Sequence, residues 1–130
     1  MEAKLILTRT ELAEYIKEYT GRSPYACMQC GLCTAVCPMA KFMDLHPAAL
    51  VKLVQAGEVD MAKLKAIWIC VSCMTCVDKC PRDVGPGLII EALRLIALRR
   101  GFEPKTYSEL PINTTTPTLL LVSYSRKLTG

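Results

Sequence analysis

The sequence is poor in aromatic residues, at 6% Phe, Trp and Tyr, and has a single histidine, His46. Its longest apolar stretch, near Leu88 to Leu98, is interrupted by Glu91 and Arg94. A membrane helix needs about 20 apolar residues in succession, so no direct membrane span is expected. Near the N-terminus only Leu5-Ile6-Leu7 separates Lys4 from Thr8 and Arg9, too little for the apolar region of a secretory signal. A cytoplasmic location is therefore expected. The net charge of +4 is mild, and the basic residues Arg94, Arg99, Arg100 and Lys105 are not interleaved with aromatics. That pattern suits a solvated or partner-facing patch and excludes the stacking groove of a nucleic-acid binder. No nucleophile with its base, glycine-rich phosphate loop or catalytic carboxylate pair can be recognised, so no catalytic residue is assigned. Gly85-Pro86-Gly87 is too short to cradle a phosphate and instead shapes the turn before a helix.

What remains is a chain of 130 residues, 52% hydrophobic and 22% charged, of a size and composition for one mainly α-helical folded unit. Thr8 and Glu11 have capping-box spacing, and Leu12, Ile16 and Tyr19 recur at helical intervals up to Gly21, which predicts a helix over 9–20. A second opens at Pro47, carries Leu50, Leu53 and Val54 on one stripe and stops at Gly57. Asp60 is positioned to cap a short third helix with Leu64, Ile67 and Trp68 facing inward. The longest runs from Pro86 to Gly101, with Leu88, Ile89, Ala92, Leu93, Leu95 and Ile96 on a broad apolar face and arginines in its last turns. Beyond Phe102, Pro104, Pro111 and Pro117 punctuate the chain. Residues 1–103 therefore read as the folded domain. Residues 104–130 read as an extended tail suited to docking on a partner, with Thr118 to Tyr124 as a strand-like run and Leu5 to Leu7 as its pairing candidate.

The chemistry lies in the cysteines. Cys27, Cys30, Cys33 and Cys37 precede Pro38, and Cys70, Cys73, Cys76 and Cys80 precede Pro81. Every position of the second run lies 43 residues beyond its counterpart in the first, as from Cys27 to Cys70. Tyr25 and Trp68 occupy matching places two residues ahead of each run, where they either shield it from water or pack in the core. In a reducing compartment such clusters bind metal. Paired Cys-x-x-Cys also suits zinc, but a four-thiolate zinc site leaves the third cysteine and the repeated proline unexplained. Three thiolates at three-residue intervals can curl around three irons of a [4Fe–4S] cubane, and in two-cluster proteins with this run the fourth cysteine ligates the other cluster. Cys27, Cys30, Cys33 and Cys80 are thus the expected ligands of one [4Fe–4S] cluster, and Cys70, Cys73, Cys76 and Cys37 those of a second. His46, beside Pro47, is read as a surface cap, and methionines such as Met28, Met39, Met43 and Met74 as gap-fillers.

Tyr19-Thr20-Gly21 leading into Cys27-Met28-Gln29-Cys30-Gly31-Leu32-Cys33-Thr34-Ala35-Val36-Cys37-Pro38 resembles the C-type polypeptide of heterodisulfide reductases. So do Ile67-Trp68-Ile69-Cys70, Pro81-Arg82-Asp83-Val84 and the helix from Leu88 to Gly101. The resemblance covers about residues 10 to 102 and implies an α-helical ferredoxin fold. It also implies a non-catalytic electron-transfer subunit of an oxidoreductase complex, relaying single electrons between a flavin-bearing A-type subunit and a cysteine-rich, disulfide-active B-type subunit. The Cys-Cys-Gly signature of the catalytic subunit is absent. Alternatives sharing the cluster motif are the iron–sulfur subunit of a glycolate-oxidase or fumarate-reductase type enzyme, and a free diffusible ferredoxin.

Overall fold

In a computed structural model the described residues are 9–60, 63–101 and 113–128. They form seven α-helices: α1 Arg9–Thr20, α2 Leu32–Val36, α3 Pro47–Ala56, α4 Ala66–Ile69, α5 Thr75–Lys79, α6 Pro86–Arg99 and α7 Thr118–Leu128. Single 3-10 turns lie at Pro24–Ala26 and Ala40–Phe42. Among the described residues there is no strand, and no helix is long and apolar enough to cross a membrane.

The helices start and stop where local chemistry dictates. Proline opens α3 and α6, its missing N–H costing nothing at the first helical position. Gly57 closes α3 at φ 75°, donating back to the Val54 carbonyl. Thr8 and the Leu5 to Leu7 segment lie outside the described residues, but α1 runs as its periodicity predicts and buries Leu12 and Ile16. These join Leu50, Val51 and Val54 of α3, Ile67, Trp68 and Ile69 of α4, and Ile89, Ile90, Leu93 and Ile96 of α6 in one core. Each such side chain contributes ~1.5–3 kcal/mol on burial. Leu53, Leu88 and Leu95, expected on the core faces, are half-buried, while Val51, Ile90 and Ala97 are buried.

Three expectations are corrected. Residues 118–128 form helix α7 rather than a strand. A run of Leu, Leu, Leu and Val suits either state, but Leu120 and Tyr124 stand four apart, share one helical face and are both buried, with α7 against α4. Asp60 does not cap the short helix: α4 begins after Lys65, whose backbone N–H is held by the Asp44 carboxylate at 3.0 Å. His46 stands at the N-cap of α3 without a side-chain cap bond. Thr34 Oγ1 instead accepts from the Ala48 N–H at 3.1 Å, tying α2 to α3.

Candidate metal centres

The sequence repeat is also a conformational repeat. Gln29 and Ser72, 43 apart, both have φ 58°, and Gly31 and Met74, also 43 apart, have φ 79° and 61°. Left-handed backbone at both places makes each run turn about its own sulfurs before α2 or α5 begins, and these two short helices lie against each other. Glycine adopts this conformation freely at position 31, whereas Met74 does so against its Cβ.

Crossing of α2 and α5 sorts the cysteines into two recesses, each containing three from one run and the fourth from the other. One is lined by Cys27, Cys30, Cys33 and Cys80 with Met28, Gln29, Leu32, Ala48, Arg82 and Pro86. The other is lined by Cys37, Cys70, Cys73 and Cys76 with Met39, Met43, Met74, Gly87 and Ile90. Their volumes are about 340 and 360 Å3, counting solvent at the mouth. Cys30 and Cys73 are exposed and the other six half-buried. Four soft donors about an apolar recess fit a cubane.

Hydrogen bonds reach several sulfurs. The Gln29 N–H and Nε2 donate to Cys27 Sγ at 3.4 and 3.3 Å, and the Val84 N–H donates to Cys80 Sγ at 3.4 Å. Burial pushes the thiols of Cys33 and Cys37 up, and raises Cys76 to about 11, with the neighbouring Cys70 adding to the shift. Metal binding must therefore displace protons, and does so because the cation favours the thiolate.

Tyr25 is 47% exposed, Trp68 is fully in the core, and neither lines a recess, so the shielding expected of them falls to Met28, Leu32, Met39, Met43 and Met74. Met39 and Met43 are buried and Met74 half-buried, filling space as expected, whereas Met28 is 59% exposed and does not. The sequence reading missed Gln55, Arg94 and Lys127. Gln55 Nε2 donates to the carbonyls of Pro24 and Cys27, at 2.8 and 3.3 Å. Arg94 does the same for the matching residues of the second run: Nε to Ile67 O at 2.7 Å, Nη2 to Cys70 O at 3.1 Å. Lys127 of α7 adds bonds to the carbonyls of Trp68 and Cys70, each 2.5 Å. Burial, aided by Arg94, pushes its ammonium down to about 7, and the Cys70 thiolate opposes that shift. A signal was available: Gln55 and Arg94 stand at the same place in the two proline-opened helices, eight residues beyond Pro47 and Pro86.

Comparison with known proteins agrees with this geometry. Residues 23–84 match the model of a 4Fe-4S dicluster domain. The chain is 40% identical over 75 residues to the C-type polypeptide of the ferredoxin:CoB-CoM heterodisulfide reductase of Methanosarcina acetivorans, covering 58% of this chain and 30% of that protein. It is 33% identical over 100 residues to the C-type iron-sulfur polypeptide of the CoB--CoM heterodisulfide reductase of Methanopyrus kandleri, covering 75% and 52%. With the C-type polypeptide of the ferredoxin:CoB-CoM heterodisulfide reductase of Methanosarcina mazei it shares 31% over 103 residues, covering 77% and 63%. The chain thus spans less than two thirds of the length of these relatives.

Proposed function

Because the chain belongs to the C-type polypeptides of heterodisulfide reductases and carries two [4Fe–4S] clusters, we propose that it relays single electrons within a complex of that kind. Its partners are a flavin-bearing A-type subunit and a B-type subunit rich in cysteine. Four thiolates, of Cys27, Cys30, Cys33 and Cys80, hold one cluster, and those of Cys70, Cys73, Cys76 and Cys37 hold the other. The observation that carries this reading is the crossed grouping of the cysteines in two adjoining recesses.

A bound [4Fe–4S] cluster takes up and returns one electron at a potential set by charge, hydrogen bonds to its sulfurs and exposure. The chain's own residues do the rest. Gln29 and Val84 donate to sulfurs, the methionines keep water out of the second recess, and Gln55 and Arg94 fix the backbone from which Cys27 and Cys70 project. Helix α7 packs into the core of the cluster-bearing domain through Leu120 and Tyr124, and its exposed Leu119 and Val122 dock a partner.

Oxygen-free purification with iron and sulfide analysis tests the cluster assignment, with about eight of each expected per chain. Affinity purification from the native host tests the complex: A-type and B-type subunits should accompany the tagged chain. A chain that elutes alone with both clusters intact would be a free carrier and would sink the subunit reading.

A further inference from the structure

Gln55 and Arg94 do the same mechanical work with different charge. Each sits eight residues after the proline that opens its helix and donates to the carbonyl of the first cysteine and to that of the residue three before it. One clamp is a neutral amide. The other is a guanidinium, half-buried and permanently protonated. Beside it, the Lys127 ammonium of α7 donates to the same Cys70 carbonyl.

Taking the ligand sets proposed above as given, we infer that Arg94, supported by Lys127, gives the cluster of Cys70, Cys73, Cys76 and Cys37 the higher reduction potential of the two. Reduction adds one negative charge to the cluster and involves no proton. A fixed cation against the ligand loop stabilises the reduced form. Three features act the other way. The second recess is the more apolar, which disfavours added charge; Arg82 lines the first, its Nε donating to the Ala26 carbonyl at 3.2 Å; and the N–H donors to sulfur, from Gln29 and Val84, reach Cys27 and Cys80 of the first cluster. Arg82 is exposed, however, so water and salt screen its charge more than that of the half-buried Arg94, and the N–H donors carry no net charge. The permanently charged, half-buried Arg94 therefore sets the order, and an electron delivered to the chain from a one-electron donor comes to rest on the second cluster.

The test is an anaerobic redox titration of the full chain carrying both clusters, followed by electron paramagnetic resonance. Cys30→Ser and Cys73→Ser assign each wave, since each variant perturbs the signal of one cluster. R94Q is informative because Gln55 already shows that glutamine can make this clamp. It should lower the upper wave by about tenfold in electron partition, equivalent to 59 mV for one electron. Q55R should raise the lower wave, R94K should keep the native order, and Arg82→Met should move the lower wave less than R94Q moves the upper. If R94Q does not fold, Q55R and R94K carry the test. Two clusters whose waves ignore R94Q or Q55R, or whose upper wave belongs to the Cys27 side, would overturn the inference and leave the relay reading standing. A chain with one cluster, or with zinc, would overturn the relay reading itself.

Discussion

The first and second cysteine runs share spacing, turn conformation and following helix, yet the protein surrounds them differently. Around the first run, Tyr25, Met28 and Leu32 are exposed, the clamp is a neutral amide, and a Cβ is present at Ala48, where α3 begins. Around the second, Trp68 and Ile69 are buried, the clamp is cationic, α7 lies over α4, and Gly87 takes the place of Ala48. A Cβ built on Gly87 would lie 3.2 Å from Cys76 Sγ and Val77 Cγ2 and 3.3 Å from Met74 Sδ. The difference teaches that a duplicated ligand spacing fixes what is bound, while the non-repeated residues set how tightly and in what field it is held.

The largest effect should come from cutting the crossed ligands. Cys80→Ala should remove the cluster of the first run and Cys37→Ala that of the second, halving iron from about eight to about four per chain with one resonance signal remaining in each case. If each substitution instead removed the cluster of its own run, the crossed scheme would be wrong. Next, Tyr124→Ala should cost about 3–5 kcal/mol in chemical denaturation of the cluster-loaded protein, since the ring is fully buried between α7 and the rest of the core. It should also raise hydrogen exchange around Cys70 more than around Cys27, because α7 packs on α4, the helix that leads into Cys70.

Gly87→Ala should cost about 1–3 kcal/mol by overpacking against Cys76 and Val77, whereas Ala48→Gly should cost no more than about 1 kcal/mol; thermal melts of both variants compare the two helix starts. Gly31→Ala should cost about 1–2 kcal/mol from its left-handed backbone alone, since no atom lies within 4 Å of the added carbon. The smallest change is expected of Asp83→Asn. Asp83 is exposed in its 3.0 Å ion pair with the half-buried Arg22, and asparagine keeps an oxygen to accept from that guanidinium, so equilibrium unfolding should shift by less than about 1 kcal/mol, and less still at high salt.

Much of this was readable from residue order. Pro47, Gly57, Pro86 and the periodicity of α1 and α6 are local signals, and the helices follow them because caps and stops act within a turn or two of the chain. The strand expected at 118–124 failed for the opposite reason. Four successive apolar residues carry no period, and the choice of helix rests on Leu120 and Tyr124 meeting α4, some 50 residues earlier in the chain. Asp60 failed likewise: Asp44 reaches the Lys65 N–H from a distant turn and takes the role that sequence proximity suggested for Asp60.

By itself, the order of residues determined the spacing of the two cysteine runs and the frame of α1, α3 and α6, since each depends on covalent neighbours within a dozen or so positions. Tertiary structure alone decided which groups stand behind the ligand loops. Gln55, Arg94 and Lys127 reach the Cys27 and Cys70 carbonyls across 28, 24 and 57 positions of chain. A backbone carbonyl can be claimed by any donor that packing brings within 3 Å, and no local pattern records which one arrives.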